Sequence, residues 1–197
     1  MNIDWSKYDD SVRRFSFEGD KKIAKVVHVY DGDTIRVVFP VHKTFYKWTC
    51  RLVNVDTPEI RTRCRLQKQY GYKVRDALRE KILNKIVLIE CGEFDKYGRL
   101  LVNIYDDVDF KPIPTSTTSE TNETNETNET NETSETNETN ETNETNETSE
   151  NVEADLTNVQ SINDWLIENN YAFYYDGGTK SDWSIFLKEN PDLLDLE

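Results

Sequence analysis

Oxygen ligands and positive charge crowd together between residues 31 and 59. Asp33 lies in Asp31-Gly32-Asp33-Thr34, Asp56 and Glu59 lie in Asp56-Thr57-Pro58-Glu59, and Arg51 precedes the second group. Both acidic groups occupy segments that must turn. Glycine accepts positive φ and aspartate satisfies nearby backbone donors, so residues 31–34 form a tip between the apolar runs Ile23–Tyr30 and Ile35–Phe39. The second tip follows Cys50–Val55, where the ring of Pro58 disfavours helix at Thr57. If the two tips meet, carboxylates and the Thr57 carbonyl make an oxygen-only site, which suits Ca²⁺ or Mg²⁺ and not zinc. Soft-ligand chemistry has little support: there are two histidines, and the three cysteines lack pairwise metal spacing.

A second arginine, Arg99, lies in the tight motif Asp95-Lys96-Tyr97-Gly98-Arg99. A hard cation with two guanidiniums beside it neutralises the equatorial oxygens of a five-coordinate phosphorus, so the set fits phosphoryl chemistry better than any of its parts. Net charge taken alone opposes a polyanionic substrate, because the chain carries a formal −14. Its distribution removes the conflict. Residues 112–160 hold thirteen acidic residues and no Lys or Arg, while residues 47–99 hold 13 Lys and Arg against 7 Asp and Glu.

The elements that must position these groups are short strands: Lys22–Tyr30, Thr34–Phe39, Trp48–Val55, Lys85–Cys91 and Leu100–Tyr105, rich in β-branched residues and bounded by turns. Residues 41–47 read as a polar, aromatic hairpin loop, and Gly92 with the 95–99 turn joins the last two strands. Arg51 and Asp56 have opposite parity in a regular strand, so both serve one site only if the strand bends between them, near Asn54. Residues 72–84 place Val74, Ala77, Leu78 and Ile82 on one helical face, with Arg75, Arg79 and Lys85 outward. Arg61, Arg63 and Arg65 form a basic loop whose two readings are solvation and contact with a phosphate backbone. Five strands with a helix after the third match the OB topology.

From Thr115 to Glu150 the chain is Thr, Ser, Asn and Glu in a three-residue repeat, without apolar residues and matching no helix or strand period; it is expected to be disordered. That leaves about 160 residues, enough for one small domain. Beyond the repeat, Ser161 caps a helix presenting Ile162, Trp165 and Leu166, Asn170 supplies its left-handed exit, and Trp183, Phe186 and Leu187 mark a last short helix before Pro191. Cys50 and Cys91 lie in apolar runs as buried thiols. The N-terminal MNIDWSKYDDSVRRF has no apolar core of a signal peptide and no segment is long enough to span a membrane, so an intracellular protein without membrane contact is expected.

DGDT, RLVNVDTPE, QYG and DKYGR stand in the order and at the spacing of the staphylococcal nuclease (thermonuclease) family, which the chain resembles well over residues 20–111 and loosely over 158–190. The resemblance implies an α+β, mainly β fold: a five-stranded OB barrel with about three helices. It also implies a Ca²⁺-dependent phosphodiesterase acting on DNA or RNA with little base specificity, in endo or exo mode. Carried over by position, Asp33, Asp56 and the Thr57 carbonyl are metal ligands and Glu59 orients or deprotonates the attacking water. Arg51 and Arg99 stabilise the phosphate, and Lys96 and Tyr97 touch a substrate phosphate. The preference for Ca²⁺ over Mg²⁺ comes from the resemblance alone. Tyr174 and Tyr175 fall close to family positions that line the nucleotide pocket and are kept apart from the site proper. The expected organisation is an arm over 1–19, a barrel core over 20–111, a disordered acidic insertion over 112–157, and a helical part of the same domain over 158–197. A monomer is expected. The alternative is a non-catalytic nucleic-acid-binding OB module.

Overall fold

A computed structural model describes residues 3–108, 111–112 and 152–194. The repeat, and with it the expectation of disorder there, lies outside the described residues.

Five strands close a barrel: β1 (Lys21–Val29), β2 (Thr34–Val41), β3 (Thr44–Leu52), β5 (Ile86–Phe94) and β6 (Leu100–Tyr105). A two-residue strand, β4 (Val55–Asp56), follows β3 outside the barrel. The order around the barrel is β1-β2-β3-β6-β5, with β3 and β6 parallel and the other pairs antiparallel. This is the OB arrangement that the strand pattern predicts. Alternation fills the interior, with Ile35, Val37 and Phe39 from β2 and Leu100, Val102 and Ile104 from β6 all buried. A bulge between Val26 and His28 shifts the parity of β1, so that Ala24 and Val26 but then Val29 point inward.

The β2–β3 connection is tighter than the sequence pattern predicts. Val41 pairs with Thr44, and residues 41–47 are not a loop. His42 and Lys43 both take positive φ, 49° and 64°, the two-residue hairpin turn whose twist matches the flanking strands. The polar composition that suggests a loop instead reflects exposure, since residues 44–47 project into solvent. Strand β5 likewise runs past Gly92 to Phe94 through a bulge.

Helix α1 covers Arg65–Ile82, beginning seven residues before the expected start and ending two before the expected end. Its core face is a strict i+4 series, Leu66, Tyr70, Val74, Leu78 and Ile82, in which the amphipathic Tyr70 hides the continuation into the first turns. Buried side chains of this kind contribute about 1.5–3 kcal/mol each. Leu83 caps the end, and Asn84 leaves at φ 64°.

Two short helices, α2 (Ile162–Glu168) and α3 (Trp183–Glu189), follow β7 (Lys111–Pro112) and β8 (Val152–Glu153), and between the helices β9 (Phe173–Tyr174) pairs with β4. Ser161 accepts from the Asp164 amide at 3.0 Å and Asn170 exits at φ 59°, both as expected. Buried Asn163 fixes α2 to the barrel. Its Nδ2 donates to the carbonyls of Val53 (3.0 Å) and Val102 (3.1 Å), and its Oδ1 accepts from the Ile104 amide. Trp183 of α3 packs on Phe173, 4.3 Å between centroids, and on Tyr70 of α1. Helices α2 and α3 therefore share the core of the barrel.

The arm before β1 is exposed up to Phe15, but Phe17 is buried edge-on against Phe39 and Trp48. Cys50 and Cys91 are buried and free, and burial pushes the Cys91 thiol up to about 12, so both stay protonated near neutrality. Among the described residues no helix is long and apolar enough to cross a membrane.

Candidate active site

The two acidic tips meet, and Gly32 shows how. A Cβ there would lie 2.8 Å from Thr57 Cβ, Thr57 Oγ1 and Val74 Cγ1. The glycine is required for close approach and not for positive φ, which corrects the conformational reason given by the sequence. Gly71 plays the same part below the second tip, where a Cβ would lie 2.7 Å from the Pro58 carbonyl. Gly32→Ala is therefore expected to destabilise the fold by about 1–3 kcal/mol through overpacking. An unchanged denaturant midpoint would mean that the tips are not in contact.

Asn54, at φ 59°, ends the regular run after β3, so Arg51 and Asp56 are freed from opposite parity as anticipated. Arg51 Nη2 reaches the Val55 carbonyl at 3.2 Å, and Nη1 pairs with Asp33 Oδ2. Asp33 Oδ1 accepts from the Thr34 hydroxyl at 2.7 Å, and that hydroxyl accepts from Arg99 Nη1 at 3.2 Å. Arg99 is in turn held by Asp95, whose Oδ2 is 2.8 Å from Nε and whose Oδ1 takes the amides of Tyr97 and Arg99. One continuous network thus links the 95–99 turn, the first tip and the second tip.

These groups border a cleft of about 600 Å³ lined by Asp33, Arg51, Thr57, Glu59, Lys96, Tyr97 and Arg99, seven of the eight positions singled out from sequence. The eighth, Asp56, does not line the cleft and is 2% exposed. Sequence reasoning missed three further residues, Asp31, Thr34 and Lys180, and kept Tyr175 apart from the site. Asp31 and Thr34 belong to a quoted motif, but their roles depend on the fold. Asp31 Oδ1 accepts from the Thr34 amide at 2.8 Å and shapes the tip. Tyr175 lines the cleft, its amide bonded to the Asn54 carbonyl, whereas Tyr174 is 66% exposed. Lys180 had no signal at all, since it lies 121 residues from Glu59 in an aperiodic polar segment.

Lys180 carries the most information about the site. Its Nζ lies 2.8 Å from Asp56 Oδ1 and 3.1 Å from Glu59 Oε1. The approach to Asp56 is an ion pair without hydrogen-bond geometry, and Asp56 Oδ2 has no donor among the described residues. Burial alone would lower the Lys180 ammonium; Asp56 and Glu59 outweigh it and leave it raised. A positive charge thus stands against a buried carboxylate whose Oδ2 has no donor among the described residues. Among the described residues no three His, Cys, Asp or Glu side chains gather in a metal-holding group.

The charges within the cleft are balanced. Asp31, Asp33, Glu59 and Asp95 face Arg51, Lys96, Arg99 and Lys180. Burial, then repulsion from Glu59, raises the Asp31 carboxyl against the Thr34 bonds and Arg51. Burial, then the neighbouring Arg99, lowers the Arg51 guanidinium. Asp95 ends below the usual carboxylate range, because the bonds from Arg99 and Tyr97 outweigh its burial.

Residues 49–126 match the family described as staphylococcal nuclease homologue. An uncharacterized protein of Methanocaldococcus jannaschii is 35% identical over 101 aligned residues, 41% of this chain and 47% of that protein. A protein named ParB from Escherichia coli is 30% identical over 90 residues, 46% of this chain and 45% of its own length. An uncharacterized endonuclease of Escherichia coli O157:H7 is 33% identical over 81 residues, 41% and 46% of the two chains. The chain spans less than half the length of these curated relatives.

Proposed function

We propose, on the premise that residues 49–126 carry a staphylococcal nuclease homologue domain, that this protein is a cation-dependent nuclease hydrolysing phosphodiester bonds of DNA or RNA. The observation that supports this reading best is the meeting of two acidic tips and two guanidiniums around one cleft. In this reading Asp33, Asp56 and the Thr57 carbonyl hold a divalent cation, Ca²⁺ by family resemblance, which when bound supplies positive charge to a non-bridging phosphate oxygen. The orphaned Asp56 Oδ2 and the all-oxygen donor set fit such an ion. Charge balance favours the same conclusion: with Asp56 beneath it, a balanced cleft has no net attraction for a phosphodiester until positive charge is added.

The side chains then take distinct parts. Glu59, 52% exposed at its side chain and 3.1 Å from Lys180 Nζ, would take the proton of a water attacking phosphorus. Arg51 and Arg99 donate to the equatorial oxygens from positions already fixed by Asp33 and Asp95, so little reorganisation accompanies the reaction. Tyr97, 73% exposed with Lys96 Nζ 5.1 Å from its ring, offers a hydroxyl and an ammonium to a neighbouring phosphate. The test is incubation with single-stranded DNA, double-stranded DNA and RNA in Ca²⁺, in Mg²⁺ and in chelator. Cutting with a divalent ion and none in chelator is expected; equal cutting in chelator would remove the cation from the reading.

The repeat has no part in this chemistry. Lys111 pairs with Glu153 and Pro112 with Val152, so the two ends of the intervening chain already lie side by side. Deleting residues 115–150 is expected to leave the unfolding midpoint and the cleavage rate within about threefold of wild type, because closing a shorter loop between adjacent ends costs little. Loss of folding or cutting in the deletion would instead make the repeat part of the working protein.

A further inference from the structure

A second hollow, of about 440 Å³, adjoins the active cleft on the side of α1. It is lined by His28, Tyr30 and Ile60, and the chain neighbours of the last two, Asp31 and Glu59, line the cleft itself, so the two concavities flank residues 30–31 and 59–60. Its composition differs from that of the cleft. Arg61, Lys68, Arg75 and Arg79 line it, and no acidic side chain does. Lys68, Tyr72, Arg75 and Arg79 fall at i, i+4, i+7 and i+11 of α1, one continuous stripe of the helix.

The ordinary explanation of such a stripe is a solvated basic face, the outward role that sequence periodicity gives Arg75 and Arg79. Two features go beyond it. The guanidiniums of Arg61 and Arg75 are fixed over aromatic rings, Arg61 Cζ 5.3 Å from the centroid of Tyr30 and Arg75 Cζ 4.6 Å from that of Tyr72. The cations also line a concavity whose Tyr30 and Ile60 directly adjoin Asp31 and Glu59 of the cleft, in a chain whose formal charge is −14. Arg75 donates to Asp76 Oδ1 from Nε and Nη2 at 2.9 and 2.8 Å, but among the described residues no carboxylate pairs with Arg61, Lys68 or Arg79, and a polyanion would offset that remaining like charge.

We propose that the α1 stripe Lys68-Tyr72-Arg75-Arg79, with Tyr30 and Arg61 facing it, is a second nucleic-acid site that holds the backbone of the substrate strand beyond the scissile phosphate. The inference rests on the nuclease reading and adds a direction: the strand leaves the cleft across residues 59–60 and runs along α1. Lys68, Arg75 and Arg79 meet phosphates of the strand, while Tyr72, 39% exposed, offers a face on which a base can stack once Arg75 turns from Asp76 to the backbone. Contacts of this kind read charge and not sequence, so affinity grows with strand length and not with base identity.

The test uses the full chain with Arg75 and Arg79 both changed to Ala, beside the double Lys variant that keeps the charge. Binding of fluorescent single-stranded DNA of about 3 and about 12 nucleotides is followed against salt in Ca²⁺, together with cleavage of both. The expected result is a loss for the longer strand about tenfold greater than for the shorter, and a log Kd against log salt slope shallower by about 1.4, roughly 0.7 for each of two lost phosphate contacts. The Lys variant should recover most of both. Equal losses for the two lengths with an unchanged slope overturn the second site while the nuclease reading stands. A wild-type chain that neither binds nor cuts either strand overturns both together.

Discussion

Arg51→Ala and Arg99→Ala are each expected to lower the cleavage rate by about 10²–10³, the usual cost of removing one preorganised charged donor from a transition state. The structure holds both arginines in place on the cleft wall. Each is fixed by a carboxylate, Arg51 by Asp33 and Arg99 by Asp95, and the Thr34 hydroxyl joins the pairs. Burial and the nearby Arg99 lower the Arg51 guanidinium, so the pair sits under mutual repulsion that an anionic phosphorane would relieve. The loss should fall on kcat and kcat/KM alike, because charge on the equatorial oxygens develops mainly in the transition state. Arg99→Lys should recover only part of the rate, since an ammonium keeps the charge without the planar fork. Unfolding curves supply the control: rates within threefold of wild type, with the fold intact, would remove these residues from the mechanism.

Asp56→Asn should move activity and stability in opposite directions. The native carboxylate is 2% exposed, its Oδ2 has no donor among the described residues, and its near charge partner is Lys180, itself half exposed. Holding that charge in the protein without a cation is costly, and an amide of the same shape avoids most of the cost. In chelator the variant is therefore expected to be more stable than wild type by about 1–2 kcal/mol, the trade common to residues kept for function. With Ca²⁺ the order should reverse. Ion at a hundredfold above its Kd stabilises wild type by about 2.7 kcal/mol, a gain the variant should lack, and cutting should fall by about 10² or more. A variant less stable than wild type in chelator, still raised in Tm by Ca²⁺ and still cutting, would show that Asp56 is an ordinary structural carboxylate.

The sequence disclosed much of this because the decisive constraints are local. β-Branched runs bounded by turns marked β2 and β6, Ser161 and Asn170 announced the ends of α2, and the opposite parity of Arg51 and Asp56 required the bend that Asn54 makes. It failed where a local signal has two causes. Polar residues 44–47 read as a loop because exposure and irregularity leave the same composition, and the first turns of α1 were missed because Tyr70 and Gly71 do not look apolar. Lys180 was beyond reach, since only the pairing of β9 with β4 brings that segment to the second tip. Gly32 was identified correctly but for the wrong reason, because close approach depends on Thr57 and Val74, which are distant in sequence.

The most direct test of the central claim measures binding and cutting of one labelled oligonucleotide side by side, for wild type and Glu59→Ala in Ca²⁺. Glu59 is partly exposed and its tip is held by Gly32, Gly71 and Pro58, so the substitution should leave the fold intact. The account predicts that wild type cuts and that the variant binds within about threefold of wild type while its rate falls by about 10² or more. Wild type that binds without cutting, or a Glu59→Ala variant that cuts as fast as wild type, would contradict it; the first result would make this barrel a nucleic-acid-binding module.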